Sequence, residues 1–366
     1  MQKEDLYYVI FSSVPYIVNR SQRTSFYTSI ESWTFDQEHC FLCGEVLNSQ
    51  NRTREHVFPQ WLLNKYKLHN DKLTLQNHTA ILYKQLTIPC CQNCNGNFLS
   101  PLEKEIQKAH DQGVEAFKAL PHIRIFQWVA KIQYGILFRQ LSLFRDRSDS
   151  EAHYILDRDD LNELASLHFF LQSVRLPLMF IGFHPWSIFI VKIMKTDSNS
   201  FDYRDDVLNG IICIKMGEIG VIVSLEDMGV IEYASDPLFK NIEQLELYPM
   251  QFSELGAYIN YQRSLLNLRL TYFSSLPSSM DNFIEVRCIL PRVPSKKPLF
   301  NYWDNEIYNQ YLYEYLSRYN TDVNYMLESN TRFSCIFNQE GNLIQLDKAG
   351  KPVKFLKPIQ DDSVLK

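Results

Sequence analysis

The spacing of hydrophobic and polar positions predicts both strands and helices in the first third of the chain. The runs LYYVIFSSV at 6–14 and TAILYKQLTIP at 79–89 predict strands, and the second ends in a proline directly before two cysteines. A helix is predicted from residue 100, because Ser100 is a natural N-cap, Pro101 suits the first helical position and Glu103 completes a capping box. The side of this helix expected to be buried is formed by Leu102, Ile106, Ala109, Val114 and Phe117.

A second helix is predicted over residues 122–144, at the junction with the rest of the chain. Arg124 and Lys131 are expected on its polar face. The opposite face is apolar: Ile125, Trp128, Val129, Ile132 and Ile136. Beyond this helix, four apolar runs separated by turn signals predict an antiparallel meander: 176–183, 187–194, 209–216 and 220–227. Residues 236–330 are expected to be mainly helical and are rich in tyrosine.

Composition is that of a folded, aromatic-rich protein long enough for two domains. The chain has 366 residues, of which 45% are hydrophobic, and its net charge of −5 argues against an overall basic coat for nucleic acid. The first residues show no secretory signal, which predicts a cytoplasmic protein. The longest uncharged apolar run, 176–191, is shorter than a membrane span and is interrupted by two prolines, so no membrane association is expected.

Five of the eight cysteines fall within 55 residues of one another and predict a metal site. Cys40 and Cys43 have the Cys-x2-Cys spacing of a zinc knuckle, and Cys91 and Cys94 repeat it. Four thiolates suit structural Zn²⁺, which binds soft ligands in a tetrahedron. Cys90 leaves an ambiguity, since it could replace Cys91 as the ligand. The repeated spacing favours Cys91.

The segment between the two knuckles, 44–90, is longer than a compact zinc ribbon allows, and it contains TREHVFPQWL at 53–62. Glu55 precedes His56 there, and Asn95 directly follows the last cysteine. In this order, the acidic residue, the histidine and the asparagine between cysteine pairs resemble the HNH (ββα-metal) endonuclease family. The resemblance covers about residues 37–105, which is under a fifth of the chain.

The resemblance implies a role for each matching residue. Glu55 and Asn95 would hold one divalent ion, Mg²⁺ or Mn²⁺, and His56 would be the general base. The family more often has Asp at the position of Glu55, and its middle Asn has no unambiguous match here, with Asn77 the best candidate. The roles suit phosphodiester hydrolysis, because an imidazole with a pKa near ~6.5 accepts a proton at neutral pH and a divalent ion offsets developing charge.

Basic residues exceed acidic ones around this segment, six to two between residues 51 and 100, which favours phosphate contacts. The candidates are Arg52, Arg54, Lys65 and Lys67. The expected partner is nucleic acid, with DNA favoured over RNA. The C-terminal region is expected to restrain or target cleavage, as would suit phage defence, through a regulatory protein partner or a homo-oligomer.

These observations together predict an α+β protein. Residues 1–36 form a segment of uncertain placement, residues 37–119 a zinc-bound ββα-metal module, and residues 120–366 a mixed domain that contains the meander and helices. A different function class fits the same residues. In that alternative the zinc module is not catalytic and binds nucleic acid or a protein, and Glu55 and His56 are a structural pair.

Overall fold

The structure of the protein is a computed structural model. It describes residues 6–10, 15–19, 36–140, 143, 165–195, 201–268, 270–275, 284–289, 298–319, 333–338, 340–346 and 352–356. Within these residues the chain is a mixture of helices and sheets, which confirms the predicted α+β class.

The strands are β1 Leu6–Ile10, β2 Pro15–Asn19, β3 Arg52–His56, β4 Lys72–Thr74, β5 Ala80–Leu82, β6 Thr87–Cys91, β7 Leu178–Ile181, β8 Trp186–Ile193, β9 Phe201–Asp206, β10 Ile211–Met216, β11 Ile219–Leu225, β12 Glu246–Leu247, β13 Thr271–Ser275, β14 Ile284–Ile289, β15 Leu343–Leu346 and β16 Pro352–Leu356. The α-helices are α1 Gln60–Tyr66, α2 Ser100–Gln112, α3 Val114–Lys118, α4 His122–Gln140, α5 Ala165–Leu171, α6 Val230–Ile242, α7 Pro249–Ser264 and α8 Asn305–Leu316. A π-helical turn, Cys94–Leu99, leads directly into α2.

The chain folds into two compact units, and neither is continuous in sequence. The first comprises 1–111, 120–185 and 269–293, and the second comprises 112–119, 186–268 and 294–366. The division predicted from the sequence, at 36 and 119, stays a prediction. The first unit contains a five-stranded sheet in the order β1-β2-β13-β14-β7, in which β13 pairs with β14 antiparallel and β14 with β7 parallel.

A second part of the first unit is built on two antiparallel strands followed by a helix. β3 pairs with β6 in a register that sets Arg52 opposite Cys91 and His56 opposite Thr87, and the π-helical turn and α2 follow β6. The predicted strand at 79–89 is in fact two strands, because a 3₁₀ turn at Tyr83–Gln85 separates β5 from β6. Helix α2 begins at Ser100, as predicted, but the predicted N-cap role of Ser100 is wrong. Ser100 has helical dihedrals, φ −60° and ψ −42°, because the π-helical turn before it leads directly into α2.

Helix α4 is buried on all sides rather than on one. Every residue from Ile125 to Phe138 is buried, so the predicted division into an apolar and a polar face is wrong. Lys131, expected in solvent, is 0% exposed. Gly135 explains how closely the helix can approach the strands, because a Cβ there would lie 2.9 Å from Val57 Cγ2 and 3.3 Å from Ile88 Cδ1. The five positions predicted to be buried in the preceding helical segment are all buried: Leu102, Ile106, Ala109, Val114 and Phe117.

The second unit is organised around the sheet β12-β8-β11-β10-β9. β8, β10 and β11 correspond to three of the four predicted runs and pair antiparallel in the order β8-β11-β10, and β9 pairs antiparallel with β10 on its other side. β10 and β11 are buried along their whole length, and α7 and α8 supply much of the core that packs on them. The meander differs from the prediction in two ways. β9, whose sequence FDYRDD is strongly charged, was not anticipated, and the run at 176–183 contributes β7 to the other sheet.

Residues 236–330 are less helical than expected. The described residues of that range include α7 and α8, but also β13 and β14 of the first unit. Residues 269, 276–283, 290–297 and 320–330 of that range lie outside the described residues. Among the helices of the described ranges, none has the length and apolar character needed to cross a membrane.

Candidate active site

Four cysteines from two separate segments come together in the first unit. The Sγ atoms of Cys40, Cys43, Cys91 and Cys94 all lie within 4.8 Å of one another, and those of Cys43 and Cys91 are 3.7 Å apart. A Zn–S bond of about 2.3 Å in a tetrahedral site gives sulfur–sulfur distances of about 3.8 Å. The four thiols therefore fit a structural zinc ion, as the spacing predicted.

Local backbone geometry prepares these sulfurs for metal. In the first knuckle, Gly44 has a φ of 74°, which a residue with a side chain rarely adopts, and its amide donates to the Cys40 carbonyl at 2.9 Å. In the second, the Cys94 amide donates to Cys91 Sγ at 3.3 Å. An amide that donates to sulfur favours the thiolate form, which is the form that binds zinc. The ambiguity between neighbouring cysteines is thereby resolved in favour of Cys91.

Cys90 occupies a different environment, although its sulfur is also close to the cluster. It is fully buried on β6 opposite Thr53, and its Sγ lies 4.0 Å from Cys40 Sγ. Burial and the neighbouring Cys40 raise the pKa of its thiol, with hydrogen bonding to Cys40 the largest contribution. Cys90 is thus suited to remain a protonated thiol in the core of the β3–β6 pair.

The four-cysteine cluster is fixed to the rest of the unit through the first knuckle. The Phe41 amide donates to the Pro89 carbonyl at 2.9 Å, which ties the knuckle to β6. His168 on α5 also contacts this knuckle, since its Nε2 donates to the Phe41 carbonyl at 3.0 Å. Burial lowers the pKa of His168 to about 3, so the ring is neutral at physiological pH and serves as a buried hydrogen-bond donor.

Asn95 lies in the first helical turn after the second knuckle, as expected. Its amide nitrogen donates to Thr53 Oγ1 at 3.1 Å and to the Arg54 carbonyl at 3.4 Å, which fastens the start of the helix to β3. Both contacts use the nitrogen, so the carboxamide oxygen is the atom suited to bind a cation. The side chain is only half-buried.

His56 is the last residue of β3, where the strand runs out towards α1. Its side chain is half-buried, and the Gln60 amide donates to its Nε2 at 2.6 Å. Burial lowers the pKa of His56, and the nearby Lys131 ammonium lowers it further, while Glu103 opposes the effect. The imidazole is therefore neutral near pH 7 and can accept a proton.

Glu55, which precedes His56, is buried against a lysine from α4. The residue is 5% exposed, and its Oε1 lies 2.7 Å from Lys131 Nζ. Burial raises the pKa of the Glu55 carboxyl, Lys131 opposes that rise and Glu103 adds to it. Burial would lower the pKa of Lys131, but the two glutamates outweigh it and keep the ammonium charged.

Lys131 is surrounded by oxygen acceptors besides Glu55. Its Nζ also donates to the carbonyls of His56 at 2.8 Å and Val57 at 3.2 Å and to Glu103 Oε1 at 2.7 Å. Glu55 therefore shares one buried ammonium with three other oxygen atoms. Its carboxylate is also of the chemical type that a hard divalent cation prefers.

Asn77, the candidate for the middle HNH residue, lies in the loop between β4 and β5. Its Oδ1 accepts from the Thr79 amide at 3.0 Å, which forms a local turn with the adjacent His78 at a φ of 61°. This hydrogen bond stabilises the turn, which is a structural role for Asn77. Whether it also acts in a reaction stays a prediction.

The four predicted phosphate-binding residues have unlike surroundings. Arg52 pairs with Glu38 and donates to the Gln37 carbonyl at 2.8 Å, so it holds the first knuckle. Lys65 pairs with Asp111 near the end of α2. Arg54 and Lys67 are exposed, and among the described residues no carboxylate lies within 4.0 Å of either. These two side chains are the better placed to reach a phosphate.

Two residues at this site were not anticipated from the sequence. Lys131 was assigned to a solvated helix face, and Glu103 to a capping box. The periodicity of α4 gave no sign of the buried lysine, because a helix buried all round carries its polar residues among apolar neighbours. Glu103 did show one signal, in that it follows the last cysteine by nine residues on the same helical segment as Asn95.

Comparison with known proteins found no relative of this chain. No family model, no curated protein and no solved structure matches the chain. Function must therefore be inferred from the residues and distances of the site itself.

Proposed function

We propose that the protein is a metal-dependent endonuclease of the HNH type, which hydrolyses phosphodiester bonds of nucleic acid. The observation that carries the proposal is the position of Glu55 and His56 at the end of β3. There a partly accessible, neutral imidazole adjoins a buried carboxylate that Lys131 holds in place. The antiparallel β3–β6 pair, the following helix and the four-cysteine cluster supply the frame that such a module requires.

Each residue of the site has a separate role in the proposed hydrolysis. His56 accepts the proton of the attacking water at Nε2, in place of the hydrogen bond that the Gln60 amide donates there, and the Lys131 contact with the His56 carbonyl holds the residue in place. Glu55, through its carboxylate, and Asn95, through its carboxamide oxygen, are the residues that would hold Mg²⁺ or Mn²⁺. When bound, this cation neutralises charge that develops on the phosphate. The zinc cluster keeps Asn95 and β3 at a fixed separation.

Arg54 and Lys67 are the side chains from which we expect phosphate contacts. Arg54 neighbours Glu55 on β3, and its exposed guanidinium can donate two parallel hydrogen bonds to a phosphate. Such contacts position the backbone without reading its sequence. DNA is the favoured substrate over RNA. The C-terminal region would restrain or target cleavage through a partner or a second copy, in a cytoplasmic role such as phage defence.

A second candidate function is favoured by one observation. The buried ion pair of Glu55 and Lys131 is what a purely structural role for Glu55 would look like. In that case the unit is a zinc module that binds nucleic acid or a protein and cleaves nothing. The two candidates predict different behaviour of the same variant.

The test is replacement of His56 by alanine, with His122→Ala as control because His122 is exposed at the start of α4. Supercoiled DNA, single-stranded DNA and RNA are incubated with full-length protein and Mn²⁺ or Mg²⁺. Loss of a general base costs roughly 10²- to 10⁴-fold, so His56→Ala should lose cleavage by at least about 100-fold with zinc content and unfolding midpoint unchanged. The control should cleave normally. If the wild type cleaves none of the substrates, the binding function stands instead.

A further inference from the structure

The side chain of Gln60 lies against the imidazole of His56. His56 ends β3 and Gln60 begins α1, so only three residues separate them in the chain. The amide nitrogen of Gln60 lies 2.6 Å from Nε2 of His56 and 3.2 Å from Nδ1. The amide is therefore beside both ring nitrogens, and it is closer to Nε2.

The amide nitrogen can act only as a donor in this contact. A carboxamide NH₂ has two protons to donate, and a neutral imidazole has one nitrogen that donates and one that accepts. The hydrogen bond at Nε2 therefore uses the lone pair of that atom and leaves the ring proton on Nδ1. In this tautomer the basic atom of His56 is Nε2, and a carboxamide occupies it.

A water molecule and Gln60 cannot use this atom at the same time. A general base removes a proton from a water that lies within hydrogen-bond distance of it, roughly 2.6–3.2 Å. Nε2 has a single lone pair, and the Gln60 amide nitrogen already lies 2.6 Å from it. The attacking water can bind at Nε2 only after the Gln60 side chain has moved.

The surroundings allow Gln60 to move while His56 stays in place. Gln60 is exposed, and its hydrogen bond is one that water can replace at little cost. His56 is held independently, because its carbonyl accepts from Lys131 Nζ at 2.8 Å and its strand pairs with β6 opposite Thr87. Rotation of the Gln60 side chain would thus free Nε2 and leave the backbone of β3 unchanged.

We propose that Gln60 is a cap on the general base: in the absence of substrate its carboxamide holds the Nε2 lone pair of His56, and the base becomes available when Gln60 turns away. This inference rests on the proposed function, since it assigns a resting state to the same site. It makes Gln60 a positioning residue, which acts through His56, and not a catalytic residue. The contact between the two side chains does not depend on cleavage, so it can be tested without a substrate.

The experiment measures how fast diethyl pyrocarbonate modifies each histidine of the full-length, zinc-loaded protein, by mass spectrometry of its peptides. This reagent reacts with the lone pair of a neutral imidazole. Gln60→Ala and Gln60→Met should each raise the rate constant at His56 by at least about threefold, because loss of a hydrogen bond of ordinary net strength changes a population by roughly two- to tenfold. Methionine keeps the bulk of glutamine and has no proton to donate.

Two controls separate the cap from other effects of substitution. His122, which is exposed at the start of α4, should react at the same rate in every variant. Asn64→Ala is the matched variant, since Asn64 presents an exposed carboxamide on the same helix as Gln60, and it should leave the His56 rate at the wild-type value. Zinc content and the thermal midpoint are recorded for every variant.

The inference is overturned if His56 reacts at the wild-type rate in both Gln60 variants, and an active nuclease with that result keeps the proposed function without the cap. A faster reaction in Gln60→Ala alone also contradicts it, because bulk would then shield the ring. In an active nuclease, cleavage by Gln60→Met should stay within about tenfold of wild type, whereas a loss of roughly 100-fold or more would make Gln60 part of the reaction instead of a cap. Faster modification of His56 in both variants of a protein that cleaves no nucleic acid supports the cap and removes the nuclease.

Discussion

Replacement of Lys131 by methionine should be among the most destabilising single substitutions in the first unit. The ammonium is fully buried and lies within 3.2 Å of four oxygen atoms, two from carboxylates and two from backbone carbonyls. Methionine has a similar length and no charge, so the change removes the interactions while it fills most of the space. What remains is a buried carboxylate at Glu55 without a counter-charge.

The expected loss of unfolding free energy depends on which partners of Lys131 remain without a counter-charge. Breaking a buried ion pair by removing one partner costs about 3–5 kcal/mol, because the remaining charge stays in a poor solvent. The carbonyls of His56 and Val57 also lose their donor, but the measured cost of removing one partner of a buried ion pair already includes such lost hydrogen bonds, so no separate term is added. We therefore expect Lys131→Met to lower the free energy of unfolding by about 4 kcal/mol. This is a large part of the roughly 5–15 kcal/mol typical of a domain.

Urea unfolding followed by circular dichroism, with zinc and a reductant present, measures this loss. Lys104→Met is the matched control, since Lys104 is an exposed lysine on α2, and it should change the unfolding free energy by less than about 0.5 kcal/mol. The double variant Lys131→Met with Glu55→Gln should recover part of the loss, because the stranded charge is gone. A loss below about 1 kcal/mol for Lys131→Met, or no recovery in the double variant, would refute the reasoning.

Three further predictions concern the frame of the site. Cys91→Ser should reduce bound zinc to near zero by elemental analysis, whereas Cys90→Ser should retain one zinc per chain, because only Cys91 belongs to the four-sulfur cluster. Gly135→Ala should destabilise the protein by about 1–3 kcal/mol in urea unfolding, since its Cβ would lie 2.9 Å from a Val57 methyl group, although alanine favours helix by about 1 kcal/mol. The pKa of His168 is lowered to about 3, so its contribution is complete above the unfolded-state pKa of ~6.5 and is lost as pH falls. The stability advantage of wild type over His168→Phe should therefore shrink by at most about 1.4 kcal/mol per pH unit between pH 6.5 and 5.

Local spacing was enough to predict the zinc cluster and the helix that follows it. Two Cys-x2-Cys pairs specify their ligands through a two-residue loop, so the cluster of Cys40, Cys43, Cys91 and Cys94 needs no knowledge of the rest of the fold. The same is true of Asn95, which the second knuckle carries into its helical turn. The α+β class also followed from periodicity. In each case the residues concerned are close in sequence or repeat a known spacing.

The partners of these residues could not be predicted in the same way. Lys131 binds the His56 carbonyl across 75 positions and Glu103 across 28, and nothing in the period of α4 distinguishes a buried lysine from a solvated one. β9 was missed because four of its six residues are charged, although Phe201 and Tyr203 are buried in alternation with polar residues. Hydrophobic and polar patterns indicate which residues of a segment face solvent. The burial of Lys131 and the pairing of β9 depend instead on contacts with other segments of the chain.

The contacts between Glu55 and α4 bear on where the proposed nuclease module ends. A module that stopped at residue 119 would contain the four cysteines, Glu55 and His56, but not the ammonium that holds Glu55. It would also expose Val57 and Ile88, which Gly135 allows to pack against the helix. Because Glu55 is held by Lys131, the cation site proposed at Glu55 and Asn95 would require α4 as much as it requires the knuckles. The zinc ion would then fix one end of β3, and α4 the other, where the chemistry is proposed.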